Sequence, residues 1–203
     1  MWAHQVIECI IFDLSEVLIS GLLGVENGLA RHLHKSASAI LTSLGGPLLE
    51  ELLLGNITED TYLRAIIERE GWNTDASTLK NAIRRNFRNQ VEGMPDILAA
   101  LAQDHDLVLL SDHAREWIAY IQSIHPFLQL LGRAFFSYEL GRLKRDPETF
   151  SQVVRELRVP ARHCLFIDDN PVNVAAAESA GLRGIRFAGA VQLASELRGW
   201  GIM

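Results

Sequence analysis

Apolar residues follow two different spacings along this chain, and the change between them divides it. Val6-Ile7-Glu8-Cys9-Ile10-Ile11-Phe12 is a short β-branched run that stops abruptly at Asp13. Its length and composition predict a buried strand rather than a helix. Leu107-Val108-Leu109-Leu110, Cys164-Leu165-Phe166-Ile167 and Gly184-Ile185-Arg186-Phe187 read the same way, and Ala134-Phe135-Phe136 is a weaker example. Helical spacing separates these runs. Pro95 opens a stretch through Ile97, Leu98 and Leu101, with proline in the first helical turn. Asp146-Pro147-Glu148 reads as N-cap, first helical position and acidic first turn before Phe150, Val153, Val154 and Leu157. Asn170-Pro171 repeats the device, and Gly181 suits the helix stop. Strands alternating with helices predict βαβ units around a mainly parallel sheet.

From about Leu22 to Val91 the strand spacing is absent, and three or four amphipathic helical segments are expected instead. One starts at Thr58 as N-cap and runs through Tyr62, Leu63, Ile66 and Ile67; another carries Leu79, Ile83 and Phe87. Gly45-Gly46-Pro47, Gly55-Asn56 and Gly71-Trp72-Asn73 punctuate them. The expected fold class is therefore α/β. A Rossmann-like three-layer core takes residues 1–21 and 92–203, and a small helical insertion after the first strand takes 22–91.

Composition narrows the function. With 203 residues, 48% of them hydrophobic, the chain can bury one sizeable core. A formal net charge of −6 excludes non-specific nucleic-acid binding, which needs a basic face, but leaves room for one local anion site. No apolar run approaches the ~20 residues that span a bilayer, and the N-terminus lacks a signal-peptide pattern. No membrane contact and a cytoplasmic address are the expectations. Cys9 and Cys164 sit inside strand-like runs and read as plain buried thiols.

The chemistry-bearing residues fall at or just after strand ends, which a parallel sheet gathers on one edge. They are Asp13, Ser111, Lys144 and the pair Asp168-Asp169. The carboxylates are hard oxygen ligands suited to Mg²⁺. Ser111 and Lys144 offer a hydroxyl and a point charge to a phosphoryl group. With local charge neutralised, Asp13 is free to act as a nucleophile. Two adjacent carboxylates repel, so a cation at Asp168-Asp169 is the economical explanation of that pair.

Four segments in order resemble the four motifs of the haloacid dehalogenase (HAD) superfamily of hydrolases. They are Phe12 to Leu18, Leu109 to His113, Gly141 to Pro147, and Leu165 to Val174. The resemblance implies that the insertion is a type-one cap, that Asp13 is nucleophile and Mg²⁺ ligand, and that Ser111 and Lys144 bind phosphoryl oxygens. It implies that Asp169 binds the metal directly, Asp168 assists, and Ser15 gives its backbone carbonyl. The Asp168-Asp169 pair favours phosphate over halide chemistry. Lys144-Arg145-Asp146-Pro147 departs from the commoner Lys-Pro-Asp-Pro.

The larger departure is Ser15, where the family usually carries a second aspartate that serves as general acid and base. A glucose-1-phosphate phosphatase-like subgroup is similar in carrying a small residue there. The expected function is thus Mg²⁺-dependent hydrolysis of small phosphate monoesters, sugar phosphates first, through an aspartyl-phosphate on Asp13. The alternative is a catalytically impaired HAD-fold protein that binds a ligand or partner. The expected partner is a small phosphorylated metabolite, and the chain is a monomer or homodimer. His113 or Glu16 is a substitute acid or base, although His113 reads more simply as a rim or turn histidine. Arg84, Arg85 and Arg88 read as a solvated helix face, Trp72 and Trp117 as packing residues, and His4, His32 and His34 as no metal set.

Overall fold

A computed structural model describes residues 6–203; His4 lies outside them. Five strands form one parallel sheet: β1 Cys9–Phe12, β2 Asp106–Ser111, β3 Arg133–Phe136, β4 Cys164–Asp168 and β5 Arg183–Arg186. Their spatial order is β3-β2-β1-β4-β5. The chain winds outward from β1 on one side and returns to β1 on the other, so the order reverses between β1 and β4. That reversal is where open sheets leave a crevice at the strand ends.

Among the described residues eleven α-helices surround the sheet. α1 Val25–Leu33, α2 Ala37–Leu44, α3 Pro47–Leu53, α4 Glu59–Glu70 and α5 Ala76–Asn86 precede α6 Met94–Leu101. After β2 come α7 Arg115–Ile124, α8 Ser137–Leu140, α9 Pro147–Leu157, α10 Pro171–Ser179 and α11 Ala190–Gly199. Strand side chains alternate between two cores, as a period of two requires. Ile10, Phe12, Leu107, Leu109, Leu165 and Ile167 pack with α6, α7, α11 and the inserted helices. Cys9, Ile11, Val108, Leu110, Cys164 and Phe166 pack with α9 and α10. Helices on both faces make the three-layer α/β sandwich expected. Cys9 and Cys164 are free, buried and opposite one another in the β1–β4 register.

Details differ from expectation. The first strand starts at Cys9 rather than Val6, which is exposed. The insertion contains five helices rather than three or four, because the short apolar segment Pro47–Leu53 forms its own two-turn helix. Arg84 is not on a solvated face; its side chain is only 12% exposed.

The insertion leaves and rejoins the sheet through a stitched pair of linkers. Ile19 and Gln90 form an antiparallel bridge. Ser20 N donates to Asn89 O at 2.9 Å, and Val91 N to Leu18 O at 3.0 Å. The outgoing and returning backbone thus satisfy each other, and α1–α5 hang from a single two-stranded stalk.

Candidate active site

The site is assembled from strand ends and the turns that follow them. Asp13 continues the sheet for one more residue, its N–H donating to Ile167 O at 2.9 Å. The chain then doubles back. Leu18 N and Ile19 N both donate to Leu14 O, and Leu14 N is held by Asp13 Oδ1 at 2.6 Å. Closing this turn forces Glu16 into the left-handed region at φ 62°, unusual for a residue with a Cβ. Its side chain compensates, Oε1 accepting from Gly21 N at 2.8 Å. Gly21 has to be small: a Cβ there would lie 2.8 Å from Ser15 Cβ and 2.9 Å from Ser15 Oγ.

Lys144 comes from the loop before α9. Its backbone N–H is gripped by both oxygens of Asp112 at 3.1 Å. The loop turns because Leu143 O accepts from Asp146 N and from Thr149 Oγ1. The Lys144 ammonium, buried with the rest of its side chain, reaches Asp13 Oδ1 at 2.6 Å and Asp168 Oδ2 at 2.7 Å. Asp168 is held further by Asn170 N at 2.7 Å and Asn173 Nδ2 at 3.1 Å. Asp169, partly exposed, completes a group with Asp13 and Asp168 whose ligand atoms lie within 4.8 Å of one another.

Electrostatics show what this group lacks. With all three carboxylates ionised, one ammonium would leave two negative charges in a confined space, and burial resists that. Burial raises the Asp13 carboxyl above its usual range against the pull of Lys144, and Asp168 adds to the rise. Burial also raises Asp169, with Asp168 contributing. Burial works against the Lys144 ammonium, but Asp13, Asp168 and Asp112 outweigh it and keep the lysine charged. Ser111, at the end of β2, is fully buried, and its Oγ has no partner among the described residues. A buried hydroxyl is rarely left so. The donor set is all hard oxygen, suited to a small divalent cation held by one or two carboxylates. Mg²⁺ fits the residues present.

Of the sequence candidates, Asp13, Lys144, Asp168 and Asp169 are brought together directly. Ser111 and Ser15 lie on the adjoining strand end and turn. His113 is a correction: it is no rim residue but is 2% exposed, between Phe87 and Trp117 with ring centroids at 5.4 Å from each. Its Nε2 is 3.4 Å from Ser15 Oγ, and its Nδ1 has no partner among the described residues. Burial, with Lys144 and Arg84 pushing the same way, lowers His113 to about 3, so it is neutral. Asp112 and Asn173, which position Lys144 and Asp168, were part of the motifs but carried no assigned role. Asn173 was the more findable: it lies five residues after Asp168, in the first turn of a helix that begins beside it.

A cavity of about 300 Å³ opens beside Ser15, Asp112 and His113 and extends to the inserted helices. Clefts of about 360 Å³ and 760 Å³ elsewhere on the insertion are lined by none of these residues. Adjacency to the charge cluster, not size, marks the relevant one.

Comparison with known proteins places the chain in a family. The profile of haloacid dehalogenase-like hydrolases matches residues 7–181. Flavin mononucleotide hydrolase 1, chloroplastic, of Arabidopsis thaliana is 32% identical over 133 residues, 66% of this chain and 54% of the relative. The chain thus spans about half the length of that relative. A HAD family enzyme from Bacteroides thetaiotaomicron, in complex with magnesium and inorganic phosphate, superposes with a TM-score of 0.72 at 20% identity, covering 88% of this chain and 93% of that one. A predicted HAD-like family hydrolase from Porphyromonas gingivalis gives 0.75 at 20% identity, covering 95% and 98%. At these identities the structures speak for the fold. Among the described residues no helix is long and apolar enough to cross a membrane.

Proposed function

The chain belongs to the haloacid dehalogenase-like hydrolases, and from that premise we propose that it is a Mg²⁺-dependent phosphatase acting on small phosphate monoesters through an aspartyl-phosphate on Asp13. One observation carries the reading: Lys144 Nζ bridges Asp13 and Asp168 at 2.6 and 2.7 Å, with Asp169 in the same cluster. A lone ammonium among three carboxylates suits the arrival of a metal and a phosphate dianion together.

In this reading Asp13, Asp169 and the Ser15 backbone carbonyl would hold the metal, while Asp168 orients Lys144. When bound, Mg²⁺ neutralises charge on the phosphoryl oxygens as a Lewis acid. The Ser111 hydroxyl donates to one phosphoryl oxygen and Lys144 to another. A free Asp13 oxygen attacks phosphorus, the bond to the alcohol oxygen breaks, and the departing alkoxide takes its proton from water. Water then cleaves the aspartyl-phosphate and releases phosphate. Residues 22–91 act as the cap that covers the site, and 1–21 with 92–203 form the catalytic core. The single stalk at Ile19 and Gln90 supports that division. The proposed compartment is the cytoplasm, where the buried thiols Cys9 and Cys164 stay reduced.

A second reading is favoured by a specific observation at Ser15. No carboxylate stands at that position, and the imidazole facing it is held neutral by burial. A protein so built binds a phosphorylated ligand without turning it over efficiently. The deciding experiment is phosphate release with Mg²⁺ over a panel that includes sugar phosphates, the first expectation, and flavin mononucleotide, the substrate in the Arabidopsis relative's name. Metal-dependent release that Asp13→Asn abolishes supports the phosphatase. Silence across the panel, with release appearing only in Ser15→Asp, overturns it in favour of the binding protein.

A further inference from the structure

The cavity beside Ser15 has two unlike ends. Its inner end is polar, but two of its carboxylates there are engaged: Glu16 Oε1 takes the Gly21 N–H, and both Asp112 oxygens take the Lys144 N–H. Its outer wall is leucine: Leu22, Leu23, Leu41, Leu44, Leu49 and Leu53. All but Leu44 keep surface open to solvent. The backbone behind this wall is occupied as well. Leu44 O accepts from Tyr62 OH, and Leu53 O accepts from Ser137 Oγ at 2.5 Å. Five partly wetted leucines turned into one concavity are costly unless something apolar covers them. Hydroxyls of a sugar entering here would give up water and meet side chains that can neither donate nor accept.

We propose that this cavity receives the alcohol portion of the substrate and selects an apolar body, an alkyl or aryl phosphate monoester, over a polyhydroxylated sugar phosphate. The proposal rests on the reading of Asp13, Ser111 and Lys144 as the phosphoryl site, which sets the depth at which the ester oxygen lies. The phosphate end is held by charge. The body is then sorted by the leucine wall, where each hydroxyl subtracts and each buried methylene adds. A volume of about 300 Å³ admits one or two rings and excludes longer chains.

The test compares 3-phenylpropyl phosphate with glucose 6-phosphate, both primary alkyl monoesters, in the presence of Mg²⁺. Acetyl phosphate serves as a donor too short to reach the wall. The expected kcat/KM ratio favours the phenylpropyl ester by about tenfold or more. Leu49→Asn and Leu41→Asn, both at partly exposed positions, each lower that ratio by about tenfold. Because the readout is a ratio within one variant, a partly misfolded fraction does not alter it. Acetyl phosphate turnover with a ratio at or below one, or Asn variants that leave it unmoved, overturns the cavity assignment and leaves the phosphatase standing. If none of the three is hydrolysed, the phosphatase reading falls. The cavity is then judged by calorimetric binding of the same two esters, where equal affinities overturn it and a similar preference for the phenylpropyl ester sustains it.

Discussion

Two buried charge clusters stand out among the described residues, and they are balanced in different ways. At the sheet edge, one ammonium pairs with two carboxylates while a third stands beside them. Where the cap meets the core, one carboxylate is served by everything around it. Glu59, its side chain 2% exposed at the start of α4, meets Arg84 Nη2 at 2.8 Å and Lys80 Nζ at 3.1 Å. Trp117 Nε1 from α7 donates to its other oxygen at 2.7 Å, and the Glu59 N–H reaches Glu116 Oε1. The Arg84 guanidinium also lies 5.0 Å over the Tyr120 ring, although its Nη1 finds no polar partner among the described residues. Distances in the two clusters are alike, so geometry alone does not separate them. Charge does: the sheet-edge cluster carries an excess of anion that suits a cation, whereas at Glu59 two cations offset the carboxylates of Glu59 and Glu116 and tie the inserted helices to α7.

The strongest way to break that contrast is to remove the nucleophile. Asp13→Asn is expected to lower Mg²⁺-dependent phosphate release by about 10⁴-fold or more, since a covalent step is lost outright. Chelation of the metal should abolish release in the wild type, with recovery on adding Mg²⁺ back. An Asn variant that retains activity would mean that the anionic excess has another purpose. Ser15→Asp comes next. General acid–base catalysis contributes ~10²–10⁴-fold, so restoring a carboxylate should raise kcat for substrates with poor leaving groups by a sizeable part of that factor. An unchanged rate would assign the proton transfer to another group facing Ser15, with His113 the first to replace by Gln.

Much of this was readable in the sequence, for physical reasons that can be named. Asp13, Lys144, Asp168 and Asp169 were found because strand ends converge in a parallel sheet and because Asp-Pro and Asn-Pro announce the helices that follow. The short, unbroken apolar run from Cys9 to Phe12 marked a buried strand. Glu59 was not legible. As the first residue of an amphipathic helix it looked like an ordinary acidic first turn, and only tertiary contact with Trp117, 58 residues away, buries it. Arg84 was misjudged for the same reason. His113 was misplaced because the aromatic box of Phe87 and Trp117 joins segments distant in sequence, with no local pattern to announce it. The leucine wall was visible only as helical core positions. Which leucines face a cavity rather than another helix depends on how α2 and α3 sit over the sheet.

The opposite cluster should respond in stability first. Glu59→Ala strands the Arg84 guanidinium and the Trp117 N–H at a buried junction, while the half-exposed Lys80 stays solvated. A loss of about 3 kcal/mol is expected, because removing one member of a buried ion pair leaves the others unpaired. For a chain of this size that is a fall of roughly 6–12 °C in Tm. The measurement is thermal unfolding with and without Mg²⁺. If Asp13→Asn lowered Tm as much as Glu59→Ala, the division between a functional and a structural cluster would collapse, since relieving anionic excess ought to leave Tm level or raise it.

The smallest effect is expected at the ion pair between Arg145 and Glu50 of the inserted helices. Arg145 stands where the resemblance leads one to expect proline, and its guanidinium forms two bonds to Glu50 of α3, at 2.6 and 2.7 Å. The pairing is as short as any at the sheet edge, and it follows Lys144 directly. Yet both side chains are about half exposed, 54% and 40%, where water and salt screen the attraction. Glu50→Gln should therefore leave the unfolding midpoint unmoved within error. Its effect belongs in the cap instead. With the clasp loosened, KM for a substrate that reaches the leucine wall should rise by about twofold, as expected for a surface pair, and high salt should produce the same rise in the wild type. A large loss of stability in Glu50→Gln would show that bond length, rather than burial and charge balance, governs how these clusters behave.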